Sequence, residues 1–510
     1  MYVAAVILAA GKGTRMKSRF PKVTHAVGGR PMLEHVLRAA GEAIVPESDT
    51  PASGDAEDHS SPRFVVVVGH ERATVRERVQ WSPPRGSLTY IEQEPQLGTG
   101  DAVRAARAAR AAWRGEPSPD TILVLYGDTP LVRAETLRAL LQEHAGSGAT
   151  LTFLTGIADR PNDYGRVVRD SAGQVRGIVE KRHATGEQLA IPEVNSGIYC
   201  IAAAWLWSRL ERLEPHENGE YYLTDLVEVA VREGQPIATT SVALEETIGV
   251  NDRMQLAEAE RLLRERTLRE LMLSGVTVED PAATYVECGV RVGQDTILRP
   301  GTRLLGRTVI GERCEIGPQS VVRDSEIGDD CLVLASWVEE ARMAARARVG
   351  PFSHLRPGAR LESGAHVGNF GEVKNATIGA GVQMRHFSYI GDANVGAGTN
   401  IGAGVVTVNY DGQQKHHTEI GERAFIGSDT MLRAPVTVGD DAATGAGSVV
   451  THDVPPSTLV AGVPARQMRR VRSVGPDARP DHPPERETRT AESSPGPGIQ
   501  SEDVGWGEGE

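Results

Sequence analysis

Five hundred and ten residues, at about 150 per domain, predict two or three domains. The chain is 40% apolar and 24% charged, enough to bury sizeable cores, but only 5% aromatic while glycine reaches 56 residues, which favours tight turns over large aromatic clusters. No run of about 18 apolar residues predicts a membrane span, the N-terminus lacks the charged region of a signal peptide, and a net charge of −13 argues against a nucleic-acid partner. Cys200, Cys288, Cys314 and Cys331 show no Cys-x-x-Cys metal spacing and fit free thiols in a reducing cytoplasm.

In the N-terminal half, short apolar runs at 4–10, 64–68, 88–91, 121–126 and 150–154 alternate with helix-like segments at 32–43, 72–81, 101–113 and 133–144. Apolar strands separated by helices predict βαβ units and a parallel sheet covered on both faces. Ligands of such sheets bind beyond the carboxyl ends of the strands. The acidic, turn-rich stretch 45–62 reads as a surface insertion.

The first strand runs into Leu8-Ala9-Ala10-Gly11-Lys12-Gly13-Thr14-Arg15. The spacing fits neither the Walker loop nor the dinucleotide fingerprint, since Val6 and Met16 stand where each requires glycine. What remains is a glycine turn flanked by Lys12, Arg15, Lys17 and Arg19, whose backbone N–H groups could approach a phosphate. Tyr126-Gly127-Asp128 closes another strand with a carboxylate, one of the few protein oxygens a phosphate-bound Mg2+ needs. Leu97-Gly98-Thr99-Gly100 opens a helix with small residues that leave its positive end accessible.

These blocks, followed in order by Asp163-Tyr164-Gly165-Arg166, Ile178-Val179-Glu180, Val194-Asn195-Ser196-Gly197 and Gly249-Val250-Asn251, resemble the sugar-1-phosphate nucleotidyltransferases, most of all the uridyltransferase half of the bifunctional GlmU family. The resemblance implies UTP contacts from Leu8, Ala9, Ala10, Gly11, Tyr126 and Gly127, with Lys22 on the phosphates and Gln93, Gly98 and Thr99 on the uracil. It implies a sugar pocket of Gly165, Glu180 and Asn195, and Mg2+ held by Asp128 and Asn251. Asp101 departs from the family, which usually has His there, and is expected to cap the helix.

Residues 252–274 form a charged amphipathic helix, with leucines near i, i+3 and i+7. Beyond it, thirteen Ile/Val-Gly pairs fall between Gly293 and Gly439 at steps close to multiples of six. That hexapeptide period predicts a parallel β-helix, three hexapeptides to a coil, with the aliphatic side chain inward and glycine at the corner. The period breaks at Val408-Asn409-Tyr410-Asp411-Gly412-Gln413-Gln414-Lys415-His416, a predicted protruding loop. A β-helix could serve purely as an assembly or regulatory scaffold. The interrupting loop and the residues around it argue instead for a site.

With Leu355-Arg356-Pro357-Gly358, Lys374, Arg385-His386-Phe387-Ser388-Tyr389 and Asn400-Ile401-Gly402-Ala403-Gly404, this half is similar to the acetyltransferase half of the same family. The resemblance implies a left-handed β-helix, a homotrimer, and acetyl transfer from acetyl-CoA to glucosamine-1-phosphate. Arg356 and Lys374 would grip the sugar phosphate, with Tyr389 and Asn400 orienting the sugar. Ala403, Asn409, Tyr410, Ser428 and Ala446 would meet acetyl-CoA and the reacting groups. His386 would act as general base, since a glucosamine amine must lose a proton to attack a thioester and imidazole titrates in the right range. The expected organisation is a Rossmann-like uridyltransferase domain at 1–251, a linker helix at 252–274, a β-helix acetyltransferase domain at 275–470 and a disordered tail at 471–510, in a cytoplasmic enzyme making UDP-N-acetylglucosamine for the cell wall. Gly462 stands where the family often has an arginine for the phosphates of coenzyme A, and Arg466, Arg469 or Arg470 is the expected replacement.

Overall fold

Runs of Val, Ile and Leu that are apolar on both sides can sit only in a sheet covered on both faces. The computed structural model, which describes residues 1–45, 61–69, 71–109, 118–158 and 164–470, places them there. The 471–510 tail and all but the ends of the 45–62 insertion lie outside the described residues.

Across the sheet the strands run Ile237–Ser241, Leu151–Ile157, Glu193–Ala202, Thr121–Tyr126, Val3–Ala9, Arg63–Val68 and Ser87–Glu92. The Val3–Ala9 strand is central and wholly buried. Its alternate residues feed two apolar layers. Ala5, Ile7 and Ala9 pack with Leu33, Leu37 and Leu137, and Ala4, Val6 and Leu8 with Val103, Leu206 and Leu226.

The texture predicted a parallel sheet, and the structure departs from that at one of these strands. Glu193–Ala202 runs antiparallel to both neighbours. After Leu151–Ile157 the described chain forms the hairpin Arg166–Arg169/Val175–Val179 and the short helix Gly186–Leu189 instead of a long crossover helix, so it re-enters from the edge at which it left. This reversal sets Asn195, near the start of its strand, on the edge where Leu8 and Tyr126 end theirs.

The helix Arg253–Leu273 follows, capped by the Asp252 carboxylate, which accepts the N–H groups of Met254 and Gln255 at 2.9 Å. Its Glu260 accepts the Gly28 N–H at 2.6 Å, and Arg30 donates to the Cys288 carbonyl at 3.1 Å. One hairpin of the first half is thereby tied to both the helix and the first coil of the second.

That second half is a three-sided prism of sheets with 12, 10 and 9 strands, all parallel but the last strand of the first. Together with the hexapeptide period, its sides fit the left-handed form. Leu298, Ile316, Val333 and Val349 stack inward from one side, Leu304, Val322, Val338 and Leu355 from the second, and Ile310, Ile327, Met343 and Leu361 from the third. Buried hydroxyls at the corners are satisfied by the next coil, as in Thr302 to the Ile316 carbonyl and Ser320 to the Val333 carbonyl, both 3.0 Å.

The corner glycines are explained by space, for the most part, and not by φ. A Cβ on Gly293, Gly402 or Gly427 would lie 2.5–2.6 Å from backbone atoms of the next coil. The left-handed backbone instead falls two residues later, on Asp295, Arg313, Asp330 and Arg423 among others. At the predicted break the step between paired strands grows from 17 residues (Ile378 to Val395) to 25 (Val395 to Ile420), releasing the loop. Arg466–Arg470 folds back antiparallel on Thr458–Ala461 at the far end. Among the described residues no helix is long and apolar enough to cross a membrane.

Because Leu355 is wholly buried in a narrow prism with no room to collapse, Leu355→Ala is expected to destabilise the repeat half by about 2–5 kcal/mol, measured by denaturant unfolding of the intact chain.

Candidate active sites

The carboxyl edge of the N-terminal sheet borders a cleft of about 740 Å3. Leu8, Ala9, Ala10, Gly11, Lys22, Gln93, Gly98, Thr99, Tyr126, Asp128, Gly165, Glu180, Asn195 and Asn251 all line it. Gly127 does not. It packs behind the wall, its N–H on the Leu8 carbonyl at 2.9 Å and a Cβ there only 3.2 Å from Ala9 and Leu33. Gly13 has φ of 59° and leaves 2.7 Å between a would-be Cβ and Lys22, so only glycine lets the phosphate turn fold against that lysine.

The Lys22 ammonium pairs with Asp128 and also donates to Asn251 Oδ1 at 3.0 Å. The Val250 N–H bonds the Asp128 carbonyl at 2.9 Å, which holds the two segments together. One cation thus already bridges the two oxygen donors expected to hold Mg2+. These hard oxygens suit that ion, and no cluster of three or more His, Cys, Asp or Glu forms a metal cage among the described residues. Asp128 and Asn251 therefore fit a metal whose remaining ligands are water and substrate phosphate.

Also in the cleft, Thr224 donates to Glu180 at 3.2 Å, and Asn195 is held by Tyr199 at 2.6 Å and the Gly197 N–H at 3.1 Å. Burial raises the Tyr126 phenol well above its ordinary range, so it remains a neutral wall. Asp101 does not cap its helix. It accepts the Gln93 side-chain amide at 2.7 Å and pairs with Arg104 at 3.6 Å. Arg182, Glu220, Tyr222, Thr224 and Thr247 also line the cleft and went unpredicted. They stand on connecting segments without a motif, and the Tyr221-Tyr222 pair, in a chain poor in aromatics, was the available signal.

In the β-helix, coil stacking does the gathering. The Gly404 N–H bonds the Phe387 carbonyl, Asp429 bonds Ala403, and Gly447 bonds Ser428, at 2.6–2.8 Å. His386, Ala403, Ser428 and Ala446 each follow by three residues the paired positions Gln383, Asn400, Phe425 and Ala443, and so occupy one corner in four consecutive coils. The N–H groups of Gly402 and Gly404 are engaged in the stack, whereas the Ala403 N–H makes no such bond among the described residues. His386 is exposed. Asn400 lies three residues before Ala403, on the preceding side of the prism.

The side that follows this corner carries the cations. Arg356 and Lys374 fall in register on adjacent coils, with Arg356 paired to Glu372 at 2.8 Å. Tyr389 is on the next coil, its hydroxyl 3.4 Å from the Asn409 amide, which also bonds Asp392 at 2.5 Å. The loop is tied by Asp411, which accepts the Gln413 and Gln414 N–H groups and bonds His416 at 2.6 Å. Those backbone bonds hold the Asp411 carboxyl well below the usual range. Tyr410 pairs with Lys415 across the loop, which brings the Lys415 ammonium beside Lys374, a placement the motif alone did not reveal.

Gly462 adopts φ of 100° in the last turn, a left-handed position favouring glycine over the expected arginine. Arg466 is exposed and bonds its neighbour's carbonyl. The side chains of Arg469 and Arg470 lie outside the described residues.

Lys415, then Arg356, hold Lys374 below the ordinary lysine range. An anion favours the charged form, so sulfate binding here is expected to weaken as pH rises, at a lower pH than an ordinary lysine would set. In Lys374→Arg the charge persists and this decline should flatten, as read by calorimetric titration.

Residues 5–230 match the MobA-like NTP transferase domain, and residues 417–452 match the bacterial transferase hexapeptide (six repeats). The chain is 44% identical to the bifunctional protein GlmU of Syntrophomonas wolfei over 90% of its own length and 97% of that protein's. It is 45% identical to the GlmU of Exiguobacterium sibiricum, covering 89% and 96%, and 46% identical to that of Thermobifida fusca, covering 89% and 91%. Similarity of this extent, running through both halves and both sites, makes the chain a member of the bifunctional GlmU family.

Proposed function

We propose that the chain makes UDP-N-acetylglucosamine in two steps, acetylating glucosamine-1-phosphate at the β-helix corner and coupling the product to UTP in the sheet cleft. The observation that carries this reading is the convergence of two sets of motif residues, scattered over the chain, on two separate sites.

In the cleft, a phosphate oxygen of N-acetylglucosamine-1-phosphate attacks the α-phosphorus of UTP in line, forming one P–O bond as pyrophosphate leaves. The nucleophile is already an anion, so no general base is needed. Lys22, Arg15 and the N–H groups of the glycine turn align the phosphates and spread their charge. Mg2+, held by Asp128 and Asn251, would neutralise charge on the phosphates when bound. Glu180 and Asn195 offer the sugar hydroxyls and N-acetyl group fixed hydrogen-bond partners.

At the β-helix corner, Arg356, Lys374 and Lys415 attract the phosphate of glucosamine-1-phosphate, while Tyr389, Asn400 and Asn409 orient the sugar. His386 takes a proton from the amine, which attacks the thioester carbon of acetyl-CoA. The unengaged Ala403 N–H faces the developing oxyanion. Collapse of the intermediate expels the coenzyme A thiolate, so no acyl-enzyme forms. The small side chains at Ser428 and Ala446 leave a track along the corner for acetyl-CoA.

We read the protein as a cytoplasmic homotrimer. Three buried thiols support a reducing compartment. The exposed Phe352, Phe370 and Phe387, the first two stacked at 5.5 Å, support association through the corners of the prism.

His386→Ala is expected to lower acetyl transfer by about 10²–10⁴-fold and spare uridylyl transfer. Asp128→Ala should do the reverse. Thiol release and pyrophosphate release, followed separately on each variant, check both. Loss of both activities in either variant would contradict two independent sites.

A further inference from the structure

Gln93 is buried at 4% exposure, yet it lines the cleft. Its amide nitrogen donates to the Gly98 carbonyl at 3.1 Å and to an Asp101 carboxylate oxygen at 2.7 Å. Both partners can only accept, so both N–H bonds are committed and the NH2 end must point toward them. The Oε1 atom accepts nothing from the described residues and is not among the buried atoms left unpaired, so what remains accessible of Gln93 is an acceptor at the cleft wall.

Asp101 is itself anchored. Arg104 pairs with it at 3.6 Å, donates to the Leu210 carbonyl at 2.7 Å and lies over the Tyr221 ring at 4.4 Å. The carboxylate is therefore a fixed acceptor in the first turn of the helix Thr99–Ala106.

We propose that Asp101 is a positioning residue for nucleotide choice: by holding the Gln93 NH2 it aims Oε1 at the base, so the base read there must offer a ring N–H. Uracil does so at N3, whereas cytosine presents a lone pair at N3 that would face Oε1 and be repelled. The bond does not read position 5 of the ring, so it does not separate uracil from thymine. The inference rests on the uridylyl-transfer reading of the cleft. Asp101 touches no substrate and acts only through Gln93.

The test compares kcat/KM for UTP and CTP, by pyrophosphate release, in the wild-type chain, Asp101→Leu and Asp101→Asn. Leucine keeps the bulk and removes the acceptor, leaving only the neutral bond to Gly98 to orient the amide. The UTP:CTP ratio should fall about tenfold, the scale of one hydrogen bond to an ionised group. Asparagine restores an acceptor and should keep the ratio within about threefold. An unchanged ratio in Asp101→Leu, with an unchanged melting temperature, would overturn the proposal, as would an equal fall in Asp101→Asn. Wild-type chain that releases no pyrophosphate from UTP would overturn the reading of the cleft itself, before any variant is compared.

Discussion

Parallel pairing in register is the constraint on which both halves of the molecule rest. Where strands run the same way and stay in step, equivalent residues of distant segments fall on one line. In the sheet that line is the carboxyl edge, where Leu8 and Tyr126 end their strands side by side. In the prism it is the corner that stacks His386, Ala403, Ser428 and Ala446. A one-residue slip would turn the inward aliphatics out and scatter the corner together. The stacking that builds the core therefore also builds the site.

The two sites share an electrostatic logic with opposite starting points. In the cleft the Lys22 cation is already neutralised by Asp128, and Asn251 completes the bridge, so under the proposed function a polyphosphate and its metal would exchange partners with a preformed pair. On the β-helix, Lys415 and Arg356 crowd Lys374 with like charge that Asp392 only partly offsets, so under the proposed function a bound phosphate would relieve that repulsion. Both arrangements place charge where the substrate carries it before any bond is made, which suits reactions that need positioning more than covalent help.

How much of this could be read from the chain depends on the kind of regularity involved. Hexapeptide spacing reports a repeating geometry, so the prism and the place of its loop were legible. The motifs of the cleft were legible through their order, and of the residues given a contact role there all but Gly127 line it. The antiparallel Glu193–Ala202 strand was not, because an apolar run looks the same in either direction and only the missing crossover tells. Tyr222, Thr224 and Arg182 were missed because they reach the cleft from connecting segments with no period. Asp101 was misread as a cap because its partner, Gln93, is on the neighbouring strand-end loop and invisible to local helix rules. The corner glycines were legible from the period, but the reason for them was not. Closeness of coils is a tertiary property, and φ alone would have pointed two residues downstream.

The central claim is that one chain performs both steps. Its most direct test supplies the purified protein with glucosamine-1-phosphate, acetyl-CoA, UTP and Mg2+, and follows free thiol, pyrophosphate and UDP-N-acetylglucosamine together. The account predicts all three, with thiol release also occurring when UTP is withheld. Pyrophosphate release from N-acetylglucosamine-1-phosphate and UTP, with no thiol released from glucosamine-1-phosphate and acetyl-CoA, would contradict it and leave the β-helix a scaffold.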